Sequence, residues 1–237
     1  MGEYAVVAGG GKFGAKAVEH LLSVGLKVLL VDPVASKWGK GVRLVRERAE
    51  DWLPRLLEME RPPTHVVPAV PFNLAAKLLV RTAEREGLVA ITGNGEGNGD
   101  LVQLALCVRS RDEAFSTDLD EGSGTLCLSR APVGATCPSN CPGKLDWCVH
   151  EGDTPRRRPL FQLVRECASS VLPRGVRPWV FESEQLAPGV GGVSWAELGP
   201  FLEWLLELRA LKLTAEVLVG TACNCHGVFH RVSLRPP

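Results

Sequence analysis

The chain has 237 residues, 45% of them hydrophobic, and its 27 basic and 27 acidic residues balance. That length suits one large α/β domain or two small ones, with a core that needs no staples. Zero net charge excludes the overall basic footprint of a nucleic-acid or membrane-surface binder.

Tyr4 to Ala8 is a short apolar run, read as a strand. Met1 to Tyr4 lacks the basic start of a signal peptide, and Val6 breaks the myristoylation pattern that Gly2 would open. No apolar run approaches the ~20 residues of a membrane span. The expectation is a cytoplasmic protein with neither membrane nor nucleic acid as partner.

Gly9-Gly10-Gly11-Lys12-Phe13-Gly14 follows the first strand and opens a segment whose apolar residues fall at helical spacing. A second strand, Lys27 to Val31, ends on Asp32. This is G-x-G-x-x-G in its strand, turn, helix, strand context. Gly9 would allow the turn, Gly11 the approach of a pyrophosphate, and Gly14 close packing of helix on strand, with the helix N-terminus facing the phosphates. Asp32 sits where an acid holds a ribose 2′-OH, which favours NAD over NADP. Residues 4 to 33 resemble the NAD-binding N-terminal segment of the regulatory subunits of potassium transporters and of related dehydrogenases. The resemblance rests on the three glycines and Asp32, and it implies a nucleotide site without implying transport.

Further on, the pattern predicts a strand at Val42 to Val45, a helix from Ala49 to Met59 and a strand at His65 to Ala69. A helix from Asn73 to Glu86 and a strand at Leu88 to Ile91 follow. Such alternation predicts a mostly parallel sheet with helices on both faces. Thr92 to Gly99, with alternate glycines, reads as a loop able to line a substrate or nicotinamide pocket. Leu101 to Val108 and Thr125 to Leu128 read as strands, and Ser116 to Gly122 as a solvated turn between them. Cys107 and Cys127 read as core.

The stretch from Thr136 to Cys148 carries the chemistry. Cys137, Cys141 and Cys148 are spaced C-x3-C-x6-C, with Pro138 and Pro142 each following a cysteine, and Cys223-Asn224-Cys225-His226 answers them later. Thiolates select zinc, cuprous copper or iron-sulfur clusters, and grouped thiols in a reducing compartment more often bind metal than pair. Bacterial ferredoxin runs also end in Cys-Pro, with tighter and regular spacing. The leading expectation is a [4Fe-4S] cluster on Cys137, Cys141, Cys148 and one of Cys223 or Cys225. The alternative is zinc, against which stands the single residue between Cys223 and Cys225. His150 is a candidate further ligand or proton donor, and Arg156 to Arg158 a basic run able to meet an anionic substrate or a redox partner.

Beyond this come a helix at Leu160 to Ser170 with Cys167 facing inward, a strand at Arg177 to Phe181, and a polar glycine-rich loop from Glu182 to Gly192. Glu184 and Gln185 of that loop could face a ligand. Ser194-Trp195-Ala196-Glu197 reads as a capping box opening a helix to about Ala210. Strands at Leu213 to Gly220 and Val228 to Leu234 flank the second cysteine group.

The predicted fold class is therefore α/β: a Rossmann-like nucleotide-binding portion, residues 1–130, and a cluster-binding α/β portion, residues 131–237, in one continuous sheet or two. The predicted function is redox or cluster-assisted catalysis with NAD(P), on a small-molecule or nucleotide ligand, and a homodimer is admitted. Nicotinamide moves two electrons and a cluster one, so the pair needs a flavin between them, a redox-sensing role, or an open iron acting as a Lewis acid. A regulatory, NAD-responsive protein with a structural zinc is the alternative, because no Ser-His-Asp, H-E-x-x-H or paired-carboxylate constellation is present. Sulfur or metal handling by exposed thiols is the third.

Overall fold

The structure is a computed structural model describing residues 3–35, 38–85, 87–93, 95–135, 137–211 and 214–237; the side chains of 95, 96 and 209–211 also lie outside the description. Met1, Gly2, Glu86, Asn94, Thr136 and Leu213, and the side chains of Glu96 and Ala210, on which the sequence reading touches, thus fall outside the described residues. The described residues form six α-helices and two six-stranded sheets, a mixed α/β fold with parallel strand pairs in each sheet.

The first sheet begins as the sequence predicts. Strands β1 (Tyr4–Ala8) and β2 (Lys27–Val31) are almost wholly buried, and their unbroken apolar runs suit a sheet covered on both faces. Helix α1 (Lys12–Ser23) lays Gly14, Ala17, Val18 and Leu21 on one of those faces. Parallel to β1 and β2 run β3 (Val42–Val45) and β4 (His65–Pro68), in the order β3-β2-β1-β4. Between β3 and β4 the expected helix is shorter: α2 spans Ala49–Trp52, then Leu53–Glu58 tightens into a 3-10 turn with Pro54 near its start.

The other sheet starts where the sequence predicted more of the first. After α3 (Leu74–Arg85), strand β5 (Val89–Thr92) pairs antiparallel with β14 (His226–Arg235), not with the parallel strands. The stretch read as a glycine loop and a strand is instead one helix, α4 (Gly95–Arg111). Leu101, Leu104, Ala105 and Val108 fall at i, i+3, i+4 and i+7 and pack together inside, so burial selects the helix. Ser116 to Asp120, expected as a turn, is strand β6, paired with β7 (Thr125–Ser129). A two-stranded hairpin, β8 (Trp147–Cys148) and β9 (Gly152–Asp153), precedes α5 (Leu160–Val171) and β10 (Val176–Glu182).

Then the chain returns to the first sheet. Residues expected as a polar loop form the hairpin β11 (Glu184–Ala187) and β12 (Val190–Ser194), and β12 adds antiparallel to the free edge of β4. Helix α6 (Trp195–Leu211) follows, but its expected capping box is not made: Glu197 accepts from Glu182 N at 2.7 Å and pairs with Arg165. Strand β13 (Ala215–Ala222) and β14 finish the second sheet, in the order β10-β13-β14-β7-β6.

Burial sorts these elements into layers. α1 covers one face of the first sheet. α2, α3 and α6 fill the space between the two sheets, with Val6, Val31, Val217 and Val232 of both sheets in one core. α4 and α5 cover the far face of the second sheet, tied by a disulfide between Cys107 and Cys167, whose Cα atoms are 5.8 Å apart. Cys107 therefore lies on a helix rather than a strand. The division at residue 130 does not coincide with the division between sheets, since β5 to β7 belong to the second and β11 and β12 to the first. No helix among the described residues is long and apolar enough to cross a membrane.

Candidate metal centre

Two short turns and one hairpin meet at a cavity of about 440 Å³. The turn between β13 and β14 carries Cys223, Asn224 and Cys225, and β14 opens on His226. Cys223 N donates to His226 O at 2.9 Å and closes the turn. The first amides of α5 brace it from behind, Leu160 N donating to Asn224 O at 3.0 Å and Phe161 N to Cys223 O at 3.4 Å. From the front, Asn224 Nδ2 donates to Gly143 O at 2.7 Å, joining this turn to the other cysteine loop.

That other loop folds on itself through Cys141 N to Pro138 O, 3.0 Å, and is held by its neighbours. Gln185 Nε2 of β11 donates to Cys141 O at 2.6 Å, and Gly189 N, in the β11–β12 turn, donates to the same oxygen at 2.9 Å. Gly189 has φ +73°, and a Cβ there would overlap the Ser139 carbonyl oxygen, so the hairpin can seat against the loop only with glycine at this position. Lys16 Nζ of α1 donates to Ser139 O at 2.6 Å. Thus the first sheet supplies the clamp, and the second sheet supplies the turn it closes upon.

The thiols of Cys137, Cys141, Cys223 and Cys225 all line the cavity. Cys148 does not line it, but its charge, with those of Cys141 and Cys223, adds to burial in pushing the Cys137 thiol up. Thiols of both loops, Cys148 excepted, thus line one cavity. Cys223 Sγ stands 3.7 Å from Cys225 Sγ and 3.2 Å from His226 Nδ1, and Cys225 Sγ is 3.5 Å from His226 Nδ1. Among the described residues, these three make the group whose ligand atoms all lie within 4.8 Å of one another.

The electrostatics match this packing. Hydrogen bonds from Cys225 outweigh the cost of burial and hold the Cys223 thiol well below its ordinary range, helped by His226. The hydrogen bond to Cys223 in turn raises His226. The neighbouring Cys223 sulfur and burial raise Cys225. A bound cation would favour the ionised form of each of these thiols.

A family model described as AF_1314_C, "Uncharacterized protein, C-terminal domain", matches residues 100–235. The chain belongs to the AF_1314_C family. An "Uncharacterized protein" of Archaeoglobus fulgidus is similar to it, 23% identical over 252 residues and covering 94% of this chain and 96% of its own length. No solved structure matches. The stretch matched by the AF_1314_C model contains Cys137, Cys141, Cys148, Cys223, Cys225 and His226, whereas the glycine turn precedes it.

At that turn, Gly9 has φ +101°, and a Cβ on Gly14 would overlap the Gly9 carbonyl, so both glycines serve the close approach of α1 to β1. Gly11 caps α1 with open space around it. Asp32 already holds the turn, its two oxygens accepting from Gly10 N at 2.6 Å and Val34 N at 2.8 Å.

His226 was within the sequence motif but was not assigned as a ligand; C-x-C-H is the signal that names it. Cys127, read as core, also lines the cavity, and burial raises its thiol. Gln185 meets the cysteine loop itself rather than a ligand, while Glu184 pairs with His65 at 3.3 Å. His150 lies outside the close group and its buried Nε2 has no partner among the described residues. Arg157 and Arg158 are engaged by Glu151 and Glu166.

Proposed function

We propose that the protein is a metal-binding protein whose C-x-C-H turn holds one thiophilic divalent ion, zinc in the first instance, through Cys223 Sγ, Cys225 Sγ and His226 Nδ1. The 3.7 Å separation of the two sulfurs carries this reading. Two thiolates on one tetrahedral ion at Zn–S of about 2.3 Å stand about 3.8 Å apart, and a thiolate and an imidazole nitrogen about 3.6 Å. The 3.5 Å from Cys225 Sγ to His226 Nδ1 agrees, and the 3.2 Å from Cys223 Sγ is shorter than that geometry asks. In a cubane each iron takes one terminal thiolate and the sulfurs point away from one another, so two ligands this close suit one ion better than two irons.

A [4Fe-4S] cluster is the second reading. One observation favours it: Cys137 and Cys141 bring more sulfur to the cavity than a single ion requires. Beside either centre, a dinucleotide at Gly9, Gly11 and Gly14 is supported by the parallel order β3-β2-β1-β4, the order a Rossmann half would take, and by the open backbone at Gly11. Asp32 would then reach the ribose with its remaining lone pairs. Such a pairing suits a redox or nucleotide-responsive role in the cytoplasm.

The test is elemental. Protein purified without oxygen is assayed for zinc, iron and acid-labile sulfide, as wild type, Cys225→Ala and Cys141→Ala. One zinc per chain, lost on Cys225→Ala and kept on Cys141→Ala, is expected. Near-stoichiometric iron and sulfide would replace zinc by the cluster.

A further inference from the structure

The metal turn opens onto a cavity with an unusual wall. Cys127 and Ser129 of β7 lie opposite Val228 and His226 of β14 and make its floor, while Phe13 of α1 and Val190 of β12 stand on its other sides. Among the described residues the lining contains no Asp, Glu, Lys or Arg. Its volume, about 440 Å³, falls in the range of small-molecule sites, roughly 300–1,000 Å³.

A fourth protein ligand on a tetrahedral ion would have to stand about 3.6 to 3.8 Å from each of the other three. Among the described residues only Cys223, Cys225 and His226 meet within 4.8 Å; Cys137 and Cys141 line the cavity but stand outside that group. Structural zinc sites are closed by four protein ligands, whereas catalytic sites have three and leave one position to water or substrate. A divalent ion with two thiolates and a neutral imidazole carries no net charge, so an anionic ligand would leave the centre net negative.

Resting on the metal reading above, we propose that the ion's fourth position faces this cavity and takes a small uncharged organic molecule. One hydroxyl or carbonyl oxygen of the ligand would bind the metal, and its apolar body would lie against Phe13, Val190 and Val228. Phe13, half-exposed at the rim, is the specificity element that can be changed without touching the core.

The protein loaded with Co(II) in place of zinc reports the coordination shell by its visible absorption. Butyramide and butyrate, equal in size and different in charge, are titrated. A saturable spectral shift with butyramide, and at least tenfold weaker binding of butyrate, are expected. Phe13→Ala should weaken butyramide about fivefold with cobalt content unchanged, and Val228→Trp should abolish the shift by filling the cavity. A cobalt spectrum that no probe alters, or one that loses a thiolate charge-transfer band in Cys137→Ser or Cys141→Ser, would show a closed four-ligand site and overturn the proposal while leaving the metal reading intact. Tighter binding of butyrate than of butyramide would overturn the assignment of an uncharged ligand. Failure to bind cobalt or zinc at all would overturn both.

Discussion

Replacing Gly189 by alanine separates two costs that usually arrive together. An alanine held at φ +73° loses about 1 kcal/mol to left-handed backbone strain. Its Cβ would also overlap the backbone oxygen of Ser139, which cannot swing away as a side chain would, and the hydrogen bond from Gly189 N to Cys141 O would break, worth about 1 kcal/mol with a further desolvation penalty. The sum is about 3 kcal/mol. Gly175 is the control: its φ is +96°, and a Cβ there meets nothing within 4 Å, so Gly175→Ala should cost the strain alone, about 1 kcal/mol. Urea unfolding of both variants with chelator present measures the difference directly. Alkylation by iodoacetamide, read by peptide mass, should become faster at Cys141 in Gly189→Ala and stay unchanged in Gly175→Ala. Equal stability losses in the two variants would refute the claim that the β11–β12 hairpin bears on the cysteine loop.

Three further outcomes are expected. Removing the Cys107–Cys167 disulfide by the double alanine variant should cost up to about 4 kcal/mol in urea unfolding, because the bond closes a loop of 60 residues; dithiothreitol should destabilise wild type but not the variant. Arg231→Met should cost about 3 kcal/mol, since the buried guanidinium joins Asp100 at 2.8 Å to Glu216 at 2.7 Å and its loss leaves their charges uncompensated; Lys at this position should restore part of it. Burial lowers His230, so the unfolded chain takes up its proton first as pH falls below about 6.5; stability is fully present above that pH and declines below it. His230→Gln should flatten the slope between pH 7 and 5 by at most about 1.4 kcal/mol per pH unit, measured by urea midpoints.

What could be read from residues alone followed how local each signal was. The glycine turn, β1, α1 and β2 were legible because sterics and short-range periodicity dictate them within thirty residues. The convergence of the two cysteine groups was legible from chemistry, since scattered thiols rarely fall in such loops by chance. Helix α4 was misread because Leu101 to Val108 is nearly continuous in apolar residues, and only the buried subset shows the helical period. The β11–β12 hairpin hid behind glycine and polar residues; its strand character comes from the open edge of β4, where Val66 lies 127 residues before its partner Val193 and is invisible to any window. The pairing of Cys107 with Cys167 likewise needs the packing of α4 on α5. At the Cys223–His226 turn the histidine adjoined the cysteines in plain view, but the distances on which the proposal of one ion rests exist only in three dimensions.

The way the chain shuttles between its sheets has a consequence for synthesis. During translation β4 emerges with an unpaired edge, and its partner Val193 follows Val66 by 127 residues; β5 waits longer still, with Arg235 trailing Val89 by 146. At about 5 to 20 residues per second those edges stay bare for many seconds on the ribosome. A nascent chain of this design would need shelter at His65 to Thr92, and cutting the gene near codon 130 would leave both fragments with sticky margins rather than two independent modules.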